Sequence, residues 1–248
     1  MTISKIVYIN LEHRTDRKEI QEEQLKASGI PYERFDAICP TYEQLVPEDG
    51  EYHEFFKRSV PRIRDYMLRE NKARGRGVFG VYLSHYKILQ RALEEGWGDF
   101  LILEDDAVFG EETISDLVSA ANNEEYSDWD IIRDVWVAKR DMELEKLQLS
   151  SRKASTVYLN GKAKGLFRHR NSDIQSKFYS GPPPNIVRWG GAHFQLIRAK
   201  SLKKILDFMD KDHVYNIDSI YCTNQLNVYW SKFGLSGFFE LGTDIPKD

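Results

Sequence analysis

The feature that most limits the fold is an apolar run that ends in three acidic residues. The segment FLIL at 100–103 is followed directly by EDD at 104–106. Four consecutive apolar residues predict a strand buried on both faces, as in parallel sheets flanked by helices. The carboxyl ends of such strands are where open α/β sheets bind their ligands. The chain is therefore predicted to be an α/β protein that carries its acidic triplet at the ligand-binding edge of the sheet.

The first forty residues have the pattern of a β–α–β unit. Residues 5–9 are mostly apolar, and three of them are β-branched, which is typical of a buried strand. Asp16 and Glu19 are spaced as an N-terminal capping pair for a helix that Gly29 ends. Residues 32–38 return to a strand pattern. Two parallel strands joined by one helical crossover predict the opening of a Rossmann-like nucleotide domain.

Further along the chain, an amphipathic helix is predicted from Tyr82 to Leu93, with Gly75, Gly77 and Gly80 leading into it. The remaining predicted elements are strands at 129–137, 192–197 and 235–241 and helices at 200–209 and 217–230. Residues 140–190 show no sustained period, so we expect loops there.

Composition excludes several classes of function. The 248 residues include 35 Lys and Arg against 39 Asp and Glu, and the net charge of -4 provides no field to hold nucleic acid. Cys39 and Cys222 lack the spacing of a zinc site or a disulfide framework, which favours the cytoplasm. The sequence contains no run of about 18 apolar residues and no signal-peptide pattern, so we expect no transmembrane segment. It also contains neither a GxGxxG motif nor a Walker motif, which argues against a dinucleotide dehydrogenase and a P-loop kinase.

The acidic triplet is the strongest candidate for a chemical site. Adjacent carboxylates repel one another unless a cation neutralises them. Hard divalent ions such as Mg²⁺ or Mn²⁺ accept carboxylate and phosphate oxygens together, which predicts a metal–diphosphate site. The alternative is structural: Glu104 points outward, Asp105 ends the strand, and Asp106 caps a helix or pairs with an arginine. The residues alone leave these two interpretations even.

Other candidates carry a weaker signal. Asn10, Arg14 and Arg17 follow the first strand, where guanidinium groups and a helix N-terminus favour a nucleotide phosphate. A polar loop with local ion pairs is the alternative. Ser84 and His85 have the simpler interpretation of a helix cap and a partly buried histidine.

Three later stretches are also ambiguous. The basic stretch at 57–76 fits a diphosphate clamp, a solvated helix face or a surface that touches anionic lipid. Gly190, Gly191 and His193 begin a predicted strand, and Asp218 begins a predicted helix. Each of these positions fits a binding site as well as it fits a turn or a cap.

Four segments together resemble the glycosyltransferase family 25 enzymes of lipopolysaccharide and collagen glycosylation. They are VYINLEHRTDR at 7–17, GIPYERFDAI at 29–38, GVFGVYLSHYKIL at 77–89 and FLILEDDAVF at 100–109. The resemblance implies a GT-A fold with a mixed central sheet and one domain over 1–248. Its nucleotide-sugar half covers about residues 1–110, and its acceptor-binding half covers about 111–248.

The resemblance also implies an activity. Family members transfer a hexose, typically galactose from UDP-galactose, with inversion, to a glycan or glycolipid acceptor such as lipopolysaccharide. The implied cofactor is Mn²⁺ or Mg²⁺, which neutralises the leaving UDP. No nucleic-acid partner is implied, and the expected location is the cytoplasm, with peripheral contact to a membrane left open.

Carried over residue by residue, the resemblance assigns roles at the site. Asp106, together with Glu104, is assigned to the metal, and Asp105 or Glu104 is assigned to the ribose and to support of the ion. Asp218 is the candidate general base. The donor-nucleotide contacts are assigned to Asn10, Arg14, Arg17, Asp36, Ala37, Ser84 and His85.

This chain departs from the family at two places. Family members often have Tyr where this chain has His193, which we assign to the acceptor side. The segment IIRDVWVAKRD after Asp130 lacks the usual pattern. Two other functions therefore stay open, a non-catalytic member that binds nucleotide sugar or glycan and a metal-dependent nucleotidyltransferase.

Overall fold

A single mixed sheet with helices on both faces organises the chain. The computed structural model describes residues 2–68, 72–107, 111–122, 124, 127–134, 155–156, 166–168, 192–211, 214, 216–217, 221 and 226–231. In this part of the chain the strands are β1 (Lys5–Asn10), β2 (Tyr32–Asp36), β3 (Phe100–Glu104), β4 (Ile131–Asp134), β5 (Ser155–Thr156), β6 (Leu166–Arg168), β7 (Phe194–Ile197) and β8 (Val228–Ser231). The helices are α1 (Thr15–Ser28), α2 (Tyr42–Leu45), α3 (His53–Arg58), α4 (Pro61–Leu68), α5 (Lys72–Glu94), α6 (Glu111–Ala121) and α7 (Leu202–Lys211), with a 3-10 turn at Ala199–Ser201 before α7.

The first three strands form the parallel part of the sheet. Their spatial order is β2-β1-β3, and β1 pairs with both neighbours in parallel. Gly29 ends α1 in the left-handed conformation, with φ 66, which glycine adopts at little cost. The predicted β–α–β opening is therefore confirmed. Since Ile9 pairs with Glu104, the two strands end at the same edge of the sheet.

The other half of the sheet mixes parallel and antiparallel strands. The order beyond β3 is β7-β4-β8-β6-β5, and β7 runs antiparallel to both β3 and β4. Leu103 pairs with Phe194, so β7 begins at the edge where β3 ends. The predicted α/β class with a mixed sheet is confirmed.

Side-chain alternation divides the core between the two faces of the sheet. On β3, Phe100 and Ile102 pack into the cluster that contains α5 and α7, whereas Leu101 and Leu103 pack with α1 and α6. Each of these four side chains is fully buried, as expected for a strand covered on both faces. The alternation carries on past the end of β3, where it decides which way each acidic residue points.

Helix α5 begins earlier than its sequence predicts. It starts at Lys72, so Gly75 and Gly80 lie inside the helix and do not lead into it. A Cβ on Gly80 would overlap the backbone oxygen of Ile38, and one on Gly75 would lie 2.7 Å from the sulfur of Met67. These glycines are therefore required by close packing against neighbouring segments.

Several other predictions need correction. Asp16 does not cap α1, because Arg14 occupies the N-cap without a side-chain hydrogen bond and pairs with Asp16 instead. Residues 228–230 form strand β8 beside β4, so the helix predicted to reach Trp230 is wrong there. Short strands β5 and β6 lie inside the region expected to be loops. The strand predicted at 235–241 and residues 135–137 lie outside the described residues.

Candidate functional site

The acidic triplet lies at the carboxyl end of β3, and the side chain of Asp105 points away from those of Glu104 and Asp106. Glu104, the last residue of the strand, faces α5, while Asp105 faces α1. Asp106 follows in a turn that the backbone hydrogen bond from Ala107 N to Glu104 O closes at 3.0 Å. Side chains alternate between the two faces of a strand, so Asp105 contacts different partners from Glu104.

Asp105 is held in a buried polar cluster with the first loop. Arg17 donates to Asp105 Oδ1 at 2.6 Å, and Asn10 donates to Asp105 Oδ2 at 2.8 Å. All three residues are buried. Burial, the largest effect, raises the pKa of Asp105 above its usual value although Arg17 and Asn10 act in the opposite direction. This carboxylate has both oxygens occupied, and it ties β3 to β1 and α1.

Glu104 and Asp106 converge on a histidine from the other half of the sheet. His193 Nδ1 lies 2.8 Å from Asp106 Oδ1 and 3.0 Å from Glu104 Oε2. Among the described residues, these three form a group whose potential ligand atoms all lie within 4.8 Å of one another. Their side chains are partly exposed, at 21%, 21% and 14% for Glu104, Asp106 and His193. Glu104 and Asp106 are therefore more accessible to a ligand than Asp105, whose side chain is 10% exposed.

The antiparallel strand β7 explains how His193 reaches this position. His193 immediately precedes β7, and Glu104 N donates to His193 O at 3.0 Å, one step beyond the Leu103–Phe194 pair. Because β7 is antiparallel, its first residue and the last residue of β3 are neighbours. The assignment of His193 to the acceptor side stays a prediction, and the structure adds a direct contact with two carboxylates.

The pKa values follow from these contacts. Burial raises the pKa of Glu104, but the hydrogen bond and charge of His193, together with the nearby His85, outweigh it and hold the pKa well below its usual range. Burial lowers the pKa of His193, but Asp106 and Glu104 outweigh it and raise the pKa to about 10. Without a bound cation, His193 is therefore the positive group between the two carboxylates.

His85 approaches Glu104 from the opposite side, inside the core. His85 Nε2 lies 3.6 Å from Glu104 Oε1, and His85 Nδ1 lies 3.0 Å from the hydroxyl of Tyr221. Because an ionised carboxylate only accepts, Nε2 is assigned the proton, and the Tyr221 hydroxyl then donates to Nδ1. Burial raises the pKa of Tyr221, which keeps the hydroxyl protonated for this role.

Ser84 and His85 lie in the interior of α5, so the predicted cap position is wrong. Ser84 Oγ donates to Gly80 O at 2.7 Å and accepts from Ile38 N at 2.9 Å. Both side chains are fully buried. Their assignment to the donor pocket stays a prediction, and in the structure they fix the segment after β2 and the carboxylate of Glu104.

The loop after β1 and the end of β2 lie next to the acidic triplet. Arg14 forms paired hydrogen bonds of 3.0 and 2.9 Å to Asp16, and Ala37 N donates to Asn10 O at 3.0 Å. Arg34 pairs with Asp36 and donates to Asn10 Oδ1 at 3.2 Å. Asn10 and Asp36 are register partners in β1 and β2, so the predicted nucleotide residues of this loop are brought together.

Two members of the site were not found from the sequence. Arg34 alternates with Asp36 on β2, and this period of two was the available signal. Tyr221 offers no such signal, since it reaches His85 over 136 positions of the chain.

Other candidates are placed outside this cluster. Arg58, Arg64 and Arg76 of the basic stretch each donate to a backbone carbonyl, of Asp210, Lys57 and Pro40 respectively. Asp218, Gly190 and Gly191 lie outside the described residues. Among the helices that are described, none combines the length and apolar composition needed to cross a bilayer.

The donor set suits a divalent cation. Two carboxylate oxygens and one imidazole nitrogen are ligands that divalent transition-metal ions accept. Ligand atoms about 2.1 Å from an ion are about 3 Å apart around an octahedral shell. The His193 Nδ1 distances of 2.8 and 3.0 Å to the two carboxylates match that spacing. Glu104, Asp106 and His193 therefore fit a bound metal ion.

Comparisons with known proteins agree on one family. The family model described as glycosyltransferase family 25 (LPS biosynthesis protein) matches residues 3–221. The lacto-N-neotetraose biosynthesis glycosyltransferase LgtE of Neisseria gonorrhoeae is 27% identical over 248 aligned positions, which cover 97% of this chain and 80% of that protein.

Two animal relatives match a shorter part. A glycosyltransferase 25 family member of Drosophila pseudoobscura pseudoobscura is 30% identical over 109 positions, or 44% of this chain and 16% of that protein. Procollagen galactosyltransferase 1-B of Xenopus laevis is 28% identical over 109 positions, or 44% of this chain and 17% of that protein. The chain thus spans less than a fifth of the length of these animal relatives.

Proposed function

The chain belongs to glycosyltransferase family 25. We propose that it is a glycosyltransferase that transfers galactose from UDP-galactose to a glycan of the lipopolysaccharide type, with inversion and with a divalent cation. The substrates named for its relatives support the proposed sugar and acceptor, since LgtE acts in lacto-N-neotetraose biosynthesis and the Xenopus laevis protein is a galactosyltransferase. We place the reaction in the cytoplasm, where the exposed free thiol of Cys39 is stable.

One observation carries the proposal. Glu104, Asp106 and His193 form an open group of metal-ligating side chains at the carboxyl end of β3. The loop after β1 lies beside it, joined through the Asn10–Asp105 hydrogen bond. A nucleotide diphosphate needs both a cation and a polar loop that binds the nucleoside, and α/β sheets bind such ligands at this edge.

The chain's own residues would divide the work of donor binding. Glu104 and Asp106 hold the cation, and when bound it neutralises the charge that develops on the diphosphate leaving group. Asn10, Arg14 and Asp36 line the nucleoside side, together with the backbone at Ala37. Arg17 acts indirectly, since its guanidinium is bound to Asp105.

The transfer itself is a single displacement. The acceptor hydroxyl oxygen forms a bond to the anomeric carbon of galactose as the bond from that carbon to the UDP oxygen breaks. The hydroxyl proton passes to the general base, for which we propose Asp218. Attack opposite the leaving group inverts the anomeric configuration.

Product analysis tests this proposal. The purified protein is incubated with UDP-galactose, UDP-glucose or GDP-mannose, with and without Mn²⁺, and with lactose-terminated oligosaccharides. We expect UDP release and a β-linked galactose product, observed by NMR, that require Mn²⁺. Pyrophosphate release from a nucleoside triphosphate and a sugar phosphate would instead identify a nucleotidyltransferase. Donor binding without any turnover would identify a non-catalytic member of the family.

A further inference from the structure

We propose that His193 is a third ligand of the divalent cation, through Nδ1, and that it makes the site prefer transition-metal ions such as Mn²⁺ and Co²⁺ over Mg²⁺. The inference rests on the proposed function, which assigns the ion to Glu104 and Asp106. It assigns His193 a role in holding the ion in addition to its predicted place on the acceptor side.

The geometry of the three side chains supports this assignment. The same nitrogen, Nδ1, faces both carboxylates, at 2.8 Å from Asp106 and 3.0 Å from Glu104. In the structure this nitrogen pairs with both carboxylates, and a cation bound between them would take the place of its proton. The ring is also mostly buried, with 14% of the side chain exposed, so its position is set by the protein.

A second observation comes from the other oxygen of Glu104. His85 is fully buried, and its Nε2 makes no hydrogen bond in the structure although it points at Glu104 Oε1 from 3.6 Å. The buried imidazole of His85 thus faces Oε1 of Glu104, and His193 contacts Oε2. Supporting groups of this kind orient ligating carboxylates in metal sites. The buried side of Glu104 is therefore arranged to present Oε2 outward.

The backbone fixes His193 in register with the acids. The hydrogen bond from Glu104 N to His193 O, at 3.0 Å, extends the antiparallel pairing of β3 and β7 by one residue. The ligands consequently come from two adjacent strand ends of one sheet, which is a more rigid support than a loop.

The ligand chemistry sets the expected selectivity. Mg²⁺ is bound mainly through oxygen, whereas an imidazole nitrogen favours later divalent transition metals. Exchange of His193 for a residue without that nitrogen leaves two carboxylates, which suit Mg²⁺ nearly as well as before. We therefore expect about a tenfold or greater loss of Mn²⁺ and Co²⁺ affinity in His193→Gln, and a change of less than about threefold for Mg²⁺.

Pulsed electron paramagnetic resonance of bound Mn²⁺ tests the inference without reference to activity. Mn²⁺ is added to the full chain, alone and with UDP, and nitrogen coupling is measured. We expect coupling from a directly bound nitrogen in wild type, a change to the ¹⁵N pattern when histidine is ¹⁵N-labelled, and loss of coupling in His193→Gln. The matched control is His53→Gln. The ring Nδ1 of His53 lies 3.0 Å from Val46 O, and this variant should keep the coupling.

The outcomes separate this inference from the proposed function. Bound Mn²⁺ without nitrogen coupling in wild type overturns the role of His193 and leaves the carboxylate site standing. Coupling that persists in His193→Gln also overturns it. If wild type binds no Mn²⁺ even with UDP, the cation site itself is contradicted, and with it the metal dependence of the proposed reaction. If His193→Gln does not fold, His193→Asn carries the same expectation, because labelling all histidines of wild type does not distinguish His193 from His85.

Discussion

Asp105 and its neighbours Glu104 and Asp106 are adjacent in sequence and have opposite surroundings. Asp105 is buried and uses both oxygens on Asn10 and Arg17. Glu104 and Asp106 keep about a fifth of their side chains exposed and share a histidine. The alternation of side chains at the end of a strand is sufficient to make this division.

The comparison shows that an acidic motif contains two kinds of residue. One carboxylate belongs to the framework, because it holds the loop after β1 against β3. The other two form the group that fits a cation. A variant at each position should therefore fail in a different way, in folding stability at Asp105 and in activity at Glu104 and Asp106.

The largest effect, on activity, is expected when Asp106 is changed. Asp106→Asn should lower kcat/KM for UDP release by about 1,000-fold, because it removes a charged ligand that the proposed cation needs. The thermal midpoint should change little. The matched control is Asp207→Asn, an exposed carboxylate that pairs with Lys203 at 2.9 Å on α7 and should keep full activity. Activity close to wild type in Asp106→Asn would contradict the assigned role.

The framework side is tested by stability. Asp105→Asn should lower the free energy of unfolding by about 3 kcal/mol, since it removes the carboxylate that lies 2.6 Å from the buried Arg17 guanidinium. Urea denaturation measures this change. The double variant Asp105→Asn, Arg17→Met should recover most of the loss, because it removes both buried charges of the pair. An unchanged unfolding curve together with lost activity would place Asp105 among the ligand-binding residues instead.

A smaller effect, on Mn²⁺ affinity, is expected when Tyr221, the hydrogen-bond partner of His85, is changed. Tyr221→Phe removes the hydroxyl next to His85 Nδ1, so the imidazole no longer has a fixed tautomer facing Glu104. We expect about a tenfold loss of Mn²⁺ affinity, as is usual for groups that support a metal ligand. Tyr82→Phe is the matched control, because its buried hydroxyl donates to Met209 O at 3.2 Å and not to His85. Equal effects of the two variants would show that Tyr221 only stabilises the core.

The smallest effect is expected at Ser84. A variant there tests whether this residue of α5 supports the fold or contacts the donor. Ser84→Ala leaves Ile38 N without its acceptor and should cost about 1 kcal/mol of unfolding free energy. Affinity for UDP should stay within about twofold in isothermal titration. A much larger loss of UDP affinity would support the prediction that Ser84 contacts the donor.

The fold could be predicted from sequence where the signal is local. The β–α–β opening and the FLIL strand follow from β-branched and apolar runs with a glycine that ends α1. Strand β8 was missed because the spacing of residues 217–230 resembles a helix, while pairing with β4 decides its conformation. The start of α5 was missed because Gly75 and Gly80 are explained only by contacts with distant segments.

The site was predictable to a similar degree. The acidic triplet and the Asn10–Arg17 loop could be located, since both follow strands whose ends meet at one edge. The position of His193 could not, because it depends on β7 lying antiparallel between β3 and β4. The separate roles of the three acidic residues could not be predicted either, because they depend on which helix covers each face of the sheet.

Calorimetric titration of UDP-galactose into wild type and Asp106→Asn, each with and without Mn²⁺, tests the central claim most directly. The account predicts binding to wild type that Mn²⁺ strengthens at least tenfold, and no such strengthening in the variant. Donor binding that is the same with and without Mn²⁺ in both proteins would contradict a cation site at Glu104 and Asp106.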